Sequence, residues 1–257
     1  MNPAPARVLG VSVLALGGLL VTAACSALST PPTAQKPDYA PSTTPAGTSA
    51  PSPAALTQAQ AQAALVTEAD LGEPWTPTQG AAIWHDGLLK ATTGLPDCRR
   101  LLDTLYAEEP FGPGAPPEAV ISLDDVWNES QLRYQIVTRN PADVDRAIAW
   151  LRTLPKKCAR FTATTPQGDR LDGQVTDAAL PAVGDARQGL RVTLAGATLN
   201  DEPVLLTLDV GVVRVGDDAI GLSHGGLGDI EPEVTQAAVQ LGAQRLADVR
   251  KLGRTPI

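Results

Sequence analysis

The first 25 residues most restrict what this chain can fold into, because they predict that its folded part works outside the cytosol. Arg7 precedes an apolar run from Val8 to Val21, and small residues then lead to Cys25. One charge, an apolar stretch and small residues are the parts of a secretory leader. At 14 residues the run is shorter than the roughly 20 that a membrane-spanning helix needs. The sequence therefore predicts a cleaved signal peptide over residues 1–24.

The end of this leader, Thr22-Ala23-Ala24-Cys25, resembles the bacterial lipobox. In that motif a diacylglycerol is attached to the cysteine thiol, and cleavage leaves the cysteine as the new N-terminus. More than one acyl chain is needed for a stable hold on a membrane. The resemblance implies lipid attachment at Cys25, with the lipid bilayer as partner and the outer face of the cell membrane as location. An ordinary secretory leader with an incidental cysteine is the alternative.

Residues 25–55 are expected to act as a tether. Between Ser26 and Ala55 there are seven prolines, many serines, threonines and alanines, and a single aromatic residue, Tyr39. Such a composition cannot bury a packed core. The lipidated cysteine and this segment would hold the following domain away from the lipid surface.

Residues 56–257 have the length of one domain, long enough to bury a core. The chain carries a formal net charge of -8, so nucleic acid and anionic headgroups are not expected as partners. This part contains two cysteines, Cys98 and Cys158. In an oxidising compartment two such thiols usually pair, and we predict a disulfide between them; two free thiols or a metal site are the alternatives. Neither histidine has the spacing from a cysteine that zinc sites show, so no metal site is predicted.

Helical signals recur along this domain. Asn140-Pro141 is an N-cap followed by a proline at the first helical position, and Val144, Ala147, Ile148 and Leu151 then form one apolar face. That face is expected to lie on a sheet. The other predicted helices are 58–66, with Thr57 as N-cap, 96–107 and 232–252.

Strand signals fill the rest. Alternating apolar residues predict strands at 119–127, 132–136, 190–194, 204–212 and 219–223. A hairpin at 128–130 joins the first two, and a further strand is predicted at 81–92. Connections this short require antiparallel pairing. The sequence predicts a single α+β domain, an antiparallel sheet with helices packed against it.

One motif resembles a catalytic signature. Gly221-Leu222-Ser223-His224-Gly225 matches G-x-S-x-G, but no histidine follows the serine, and adjacent side chains on a strand point to opposite faces. We interpret it as a Gly-rich loop between the last strand and the last helix, and we keep a hydrolase using the Ser223/His224 region as the less favoured alternative.

Other candidate sites are weaker. Trp84-His85-Asp86 is a polar cluster, and Asp124-Asp125 is interpreted as a strand end. The four tryptophans are expected to serve the core in part, with an aromatic-lined ligand pocket as the alternative. No phosphate loop or dinucleotide motif is present, so no cofactor, no metal and no catalytic residue is predicted.

Short segments resemble a group of exported actinobacterial lipoproteins and the extracellular sensor-like domain of PknH-type receptor kinases. They are Ala64 to Leu71, Cys98, Cys158-Ala159-Arg160-Phe161 and Val212 to Asp217. The resemblance implies a binding or sensing module with no catalytic residues. The expected ligand is a small molecule, a cell-wall fragment or an exported protein, held in a pocket between helix and sheet. An envelope assembly role is the alternative.

Overall fold

One antiparallel sheet and the helices on its two faces make up the computed structural model, which describes residues 55–114 and 116–253. The predicted leader, Cys25 and all of the tether except Ala55 lie outside these residues. The described elements belong to one compact unit, residues 52–257. None of its helices within the described ranges has the length and hydropathy of a membrane span.

The helices are Gln58–Ala63 (α1), Glu68–Leu71 (α2), Pro96–Tyr106 (α3), Pro141–Leu151 (α4), Leu154–Lys157 (α5) and Pro232–Leu252 (α6), with a π-helical turn at His85–Leu89. The strands are Trp75–Pro77 (β1), Ala119–Asp125 (β2), Ser130–Thr138 (β3), Phe161–Thr164 (β4), Arg170–Asp177 (β5), Ala186–Ala197 (β6), Pro203–Val215 (β7) and Asp218–Leu227 (β8). Their order across the sheet is β1-β2-β3-β8-β7-β6-β5-β4, and every neighbouring pair is antiparallel. The predicted fold class, α+β with an antiparallel sheet, is confirmed.

Alternation along the central strands places one hydrophobic core on each face of the sheet. On β7, Leu206, Leu208, Val210 and Val212 pack with the residues of α3 and α4, while Val213 packs with α6. Because successive strand residues point to opposite faces, the same strand serves both cores. The two faces are called here the α3 face and the α6 face.

Local signals account for the ends of the helices. The side chain of Asn140 accepts a hydrogen bond from the backbone of Ala142 at 2.9 Å and caps α4. Thr57 caps α1 in a capping box with Gln60. Val144, Ile148 and Leu151 are buried against the sheet, as their spacing predicts. The bounds of α6 coincide with the predicted helix.

Three local predictions are wrong. Residues 81–92 do not form a strand; they contain the π-helical turn, and Trp84, directly before it, and Leu89, at its end, are buried in the core. The Gly-rich stretch 221–226 is not a loop but the middle of β8, paired on both sides. Trp127 does not continue β2; it lies in the β2–β3 turn with 72% of its surface exposed.

Candidate functional site

A cleft of about 720 Å³ lies between α3, α4 and the loop 107–113 that follows α3. This volume falls within the range of roughly 300–1,000 Å³ that small-molecule sites occupy. We call it the α3–α4 cleft. Its walls combine three arginines, three carboxylates and two aromatic rings: Arg100, Arg139, Arg146, Asp103, Glu109, Asp143, Phe111 and Trp150.

Each arginine of the cleft is held by a neighbour. The guanidinium of Arg100 lies 4.0 Å from the centre of the Trp150 ring, a cation–π contact. Arg139 donates to the backbone carbonyl of Phe111, and Arg146 donates to Asp143 on the same helix. A stacked guanidinium keeps its N–H edge available for a planar acceptor such as a carboxylate or a phosphate.

The apolar faces of α3 and α4 predict their contact with the sheet but not this cleft, which is lined by their polar faces. On α3, Arg100, Asp103, Thr104 and Ala107 lie at i, i+3, i+4 and i+7. On α4, Asp143, Arg146, Ala147 and Trp150 repeat the same spacing. Two such stripes, each on one helix face, are a sequence signal from which a shared polar groove could have been predicted.

The predicted disulfide is present and links α3, one wall of the cleft, to the residue that follows α5. Cys98 lies in the first turn of α3 and Cys158 directly follows α5, with their Cα atoms 5.6 Å apart. Beside it, Asp97 accepts from the Trp150 indole at 3.2 Å and pairs with Lys157 at 3.0 Å. The bonds to Lys157 and Trp150 lower the pKa of Asp97. The Asp97–Trp150 hydrogen bond therefore links α3 to α4, and the disulfide and the Asp97–Lys157 ion pair link α3 to α5.

Beneath the cleft, between α3 and the sheet, lie two small cavities of about 30 and 10 Å³. Both are lined by Leu105, Glu108, Arg133 and Ser223. Arg133 lies 3.0 Å from Glu108, and the Nε1 of Trp84 is buried without a hydrogen-bond partner in the structure. These two spaces are of the size of one or two water molecules, so neither of them can hold a larger ligand.

The α6 face carries a different polar group, centred on His224. Asp209 accepts two hydrogen bonds from Arg191, at 2.7 and 2.9 Å. Thr235 of α6 lies 3.4 Å from Asp209 and 3.1 Å from Nδ1 of His224. Arg191, Asp209, Thr235 and His224 thus form a chain of polar contacts from the surface to the buried imidazole. The ring of Trp75 packs edge-on against this imidazole, with the two ring centres 5.6 Å apart.

His224 is only 1% exposed and lines a cavity of about 180 Å³. Burial lowers the pKa of His224 to about 4, while the Asp209 and Asp125 carboxylates act in the opposite direction. Its ring is therefore neutral near pH 7. We call this space the His224 cavity.

The structure separates Ser223 from His224. Ser223 points to the α3 face, where it lines the small cavities, and His224 points to the α6 face. They lie at adjacent positions of β8, so the backbone pleat sends them apart, as the sequence predicted. The hydrolase alternative therefore has no serine–histidine pair within this motif.

The remaining candidate residues occupy separate places. His85 lies 3.2 Å from Asp86 and 3.9 Å from Glu108, at the edge of the α3 face. Asp124 and Asp125 end β2 as predicted, and Asp125 accepts from the backbone of Trp127 and Asn128 in the turn. Within residues 55–114 and 116–253, no three histidine, cysteine or acidic side chains converge as metal ligands would.

Comparison with known proteins finds similarity to solved structures but not to a family. No family model matches the chain, and no curated protein matches its sequence. Among solved structures it is similar to the extracellular domain of PknH from Mycobacterium tuberculosis, with 16% sequence identity and a TM-score of 0.45. The match covers 78% of this chain and 98% of that domain.

Proposed function

We propose that this chain is an exported binding lipoprotein that holds a small polar molecule bearing a carboxylate or phosphate in the α3–α4 cleft. The observation that carries the proposal is the cleft itself, of ligand size and with three arginines on its walls in a chain of net charge -8. We propose binding rather than catalysis, and we assign no catalytic residue.

The class of ligand follows from the mixture of charges. Arg100, Arg139 and Arg146 supply forked donors suited to carboxylate or phosphate oxygens. Asp103 and Glu109 line the same cleft and supply acceptors for hydroxyl or amide groups. A cell-wall fragment carries both kinds of group, so it is the ligand that we propose first.

The links between the walls favour tight binding. A site whose walls are already fixed loses little conformational freedom when a ligand enters, and that saving raises affinity. The Asp97–Trp150 hydrogen bond fixes α3 to α4, and the disulfide and the Asp97–Lys157 ion pair fix α3 to α5, which follows α4 in the chain.

The proposed location rests on two observations. The leader and lipobox-like segment end at Cys25, and the Cys98–Cys158 disulfide is a bond typical of exported proteins. Mass spectrometry of the protein extracted from membranes tests the anchor. A mature N-terminus at Cys25 with added acyl mass supports it, and an unmodified or differently placed N-terminus overturns it.

Isothermal titration calorimetry of the purified protein tests the cleft, with a panel of wall-derived sugar acids, muropeptides and sugar phosphates. Arg146→Gln and Arg100→Gln are expected to weaken the best ligand about tenfold each, the loss of one charge-assisted hydrogen bond. The matched control is Arg170→Gln, an exposed arginine on β5 outside the cleft, and it leaves affinity unchanged. No binding by any panel member, or equal binding by all three variants, overturns the proposal.

The envelope assembly role is favoured by one observation. Val126 and Trp127, 62% and 72% exposed, stand together at the tip of the β2–β3 turn. Exposed apolar residues in such a place are a common feature of partner contacts. Cross-linking in intact cells distinguishes the two roles, because only a protein partner gives a discrete larger adduct that is lost in the Trp127→Ser variant.

A further inference from the structure

The His224 cavity lies at the end of the sheet where the β2–β3 turn meets the connection from β8 to α6. Trp75, Ser130 and His224 lie on its sheet side, and Asp229 and Glu231 come from the connection. The cavity is on the opposite face of the sheet from the α3–α4 cleft, so it is a separate site.

The hydrogen-bond chain behind His224 fixes which ring nitrogen carries the proton. Asp209, paired with Arg191, is a carboxylate and can only accept, so the hydroxyl of Thr235 donates to it. The Thr235 oxygen then accepts from Nδ1–H of His224. A neutral imidazole has one donor and one acceptor nitrogen, which leaves Nε2 as the acceptor.

This acceptor has no partner within the protein. The side chain of His224 is 1% exposed and lines the cavity, and its Nε2 makes no hydrogen bond to any described residue. Because His224 lines the cavity and its Nε2 accepts from no described residue, a donor placed in the cavity can hydrogen-bond to this nitrogen.

The charges around the cavity select the kind of donor. Three carboxylates line it, those of Asp125, Asp229 and Glu231, and no lysine or arginine does. Asp125 already accepts hydrogen bonds from the β2–β3 turn, but its negative charge remains. The ring of Trp75 adds an aromatic wall, which attracts cations.

We propose that the His224 cavity binds a small primary amine, whose ammonium group donates to Nε2 of His224 while the carboxylates and Trp75 surround its positive charge. A cavity of about 180 Å³ is below the roughly 300 Å³ of the smallest drug-sized sites, so the occupant is a short-chain amine.

The first test measures the tautomer and needs no ligand. Long-range proton–nitrogen NMR of the purified protein identifies the protonated nitrogen of each imidazole, and His85→Gln assigns the signals because the chain has only two histidines. The proposal requires the proton of His224 on Nδ1. A proton on Nε2 overturns it.

The second test measures binding with ethylammonium chloride as the probe and tetramethylammonium chloride as the matched control, since the latter has the charge but no N–H donor. Ethylammonium is expected to shift the His224 ring signals and to bind at least about tenfold more tightly. Equal binding of both cations, or no binding of ethylammonium, overturns the proposal.

Variants of exposed residues distinguish binding in the His224 cavity from a general effect of the protein's net charge. Glu231→Gln and Asp229→Asn, both outside regular helices and strands, are expected to weaken ethylammonium binding about threefold to tenfold by removing one nearby charge. Glu202→Gln, on the β6–β7 turn, is the control and leaves binding unchanged. If all three variants weaken binding alike, the amine senses only the net charge and the proposal fails. Stronger binding of calcium than of ethylammonium also overturns it.

Discussion

The α3–α4 cleft and the His224 cavity lie on opposite faces of one sheet and hold their charges in different ways. In the cleft, the charged groups lie at the surface, on α3, on α4 and on the segments beside them. At the cavity, His224 and its hydrogen-bonded neighbours Asp209 and Thr235 come from adjacent strands and α6, and all three are buried. The comparison shows that surface helices can carry many charged side chains with little loss of stability, whereas a buried sheet face carries few polar side chains.

This difference predicts which changes each face tolerates. Removing a link on the α3 face should loosen the walls of the cleft and leave the cavity intact. Changing a buried group on the α6 face should alter the stability of the whole domain, because those groups are packed in its core.

The largest effect is expected when the disulfide is removed. The Cys98→Ser/Cys158→Ser double variant frees a loop of 60 residues and should lower the free energy of unfolding by about 4 kcal/mol in the chain-entropy description. Denaturant unfolding followed by circular dichroism measures it. Affinity of the cleft ligand should fall as well, while ethylammonium affinity in the folded variant should not. A loss in the cavity equal to that in the cleft would contradict the separation of the two sites.

The next effect is the pH dependence that His224 confers. Its pKa is about 4 in the folded protein and 6.5 when unfolded, so the unfolded state binds a proton first as the pH falls. Above pH 6.5 the free energy of unfolding should not depend on His224. As the pH is lowered from 6.5 to 4, it should fall by about 3 kcal/mol. Comparison of unfolding free energies for wild type and His224→Gln at several pH values measures this term.

His85→Gln is the matched control for that experiment, because it removes a histidine but keeps His224 and its buried neighbours. It should retain the steep fall in stability. If His224→Gln falls as steeply as wild type, the buried histidine is not the group responsible.

A smaller effect is expected where α6 crosses the sheet at Gly242. A Cβ at this position would lie 2.0 Å from the hydroxyl oxygen of Tyr134, which is buried without a hydrogen-bond partner. Gly242→Ala should therefore cost about 2 kcal/mol by overpacking. Tyr134→Phe should be neutral or stabilising alone, and should recover part of the loss when combined with Gly242→Ala. Additive effects in the double variant would argue against contact between the two residues.

The smallest effect belongs to the N-cap of α4, on the α3 face. Asn140→Ala removes the side-chain bond to the backbone of Ala142 and should cost about 1 kcal/mol in thermal or denaturant unfolding. Asn140→Ser or Asn140→Asp should restore most of it, since both side chains can cap. An unchanged stability in Asn140→Ala would show that packing alone fixes the start of α4.

The elements that the sequence predicted correctly are those with local signals. α4 and α6 follow from a proline at the first helical position and from apolar spacing, and Asn140 adds a cap to α4. By contrast β5 was not predicted, because its alternation of Leu171 and Val175 passes through Gly173. That glycine is buried because the ring of Phe161, on the neighbouring strand, packs over it. Such a contact appears only once the strands are paired.

The sites were less predictable than the fold for the same reason. His224 looked like part of a loop because glycines surround it, and its partners Asp209 and Thr235 lie 15 and 11 residues away. Asp209 and His224 meet across the β7–β8 register. A sequence motif contains neither the register nor the face to which a side chain points. The arginines of the α3–α4 cleft, in contrast, had a readable helical spacing.

The four tryptophans lie in different environments, so their fluorescence can report on the cleft and on the cavity. Trp150 lines the cleft, Trp75 lines the cavity, Trp84 is buried beneath α3, and Trp127 stands in solvent. Single replacement of Trp150 or Trp75 by phenylalanine would assign the fluorescence change caused by each ligand to one indole. Occupancy on either face of the sheet could then be followed in the same cuvette without a label.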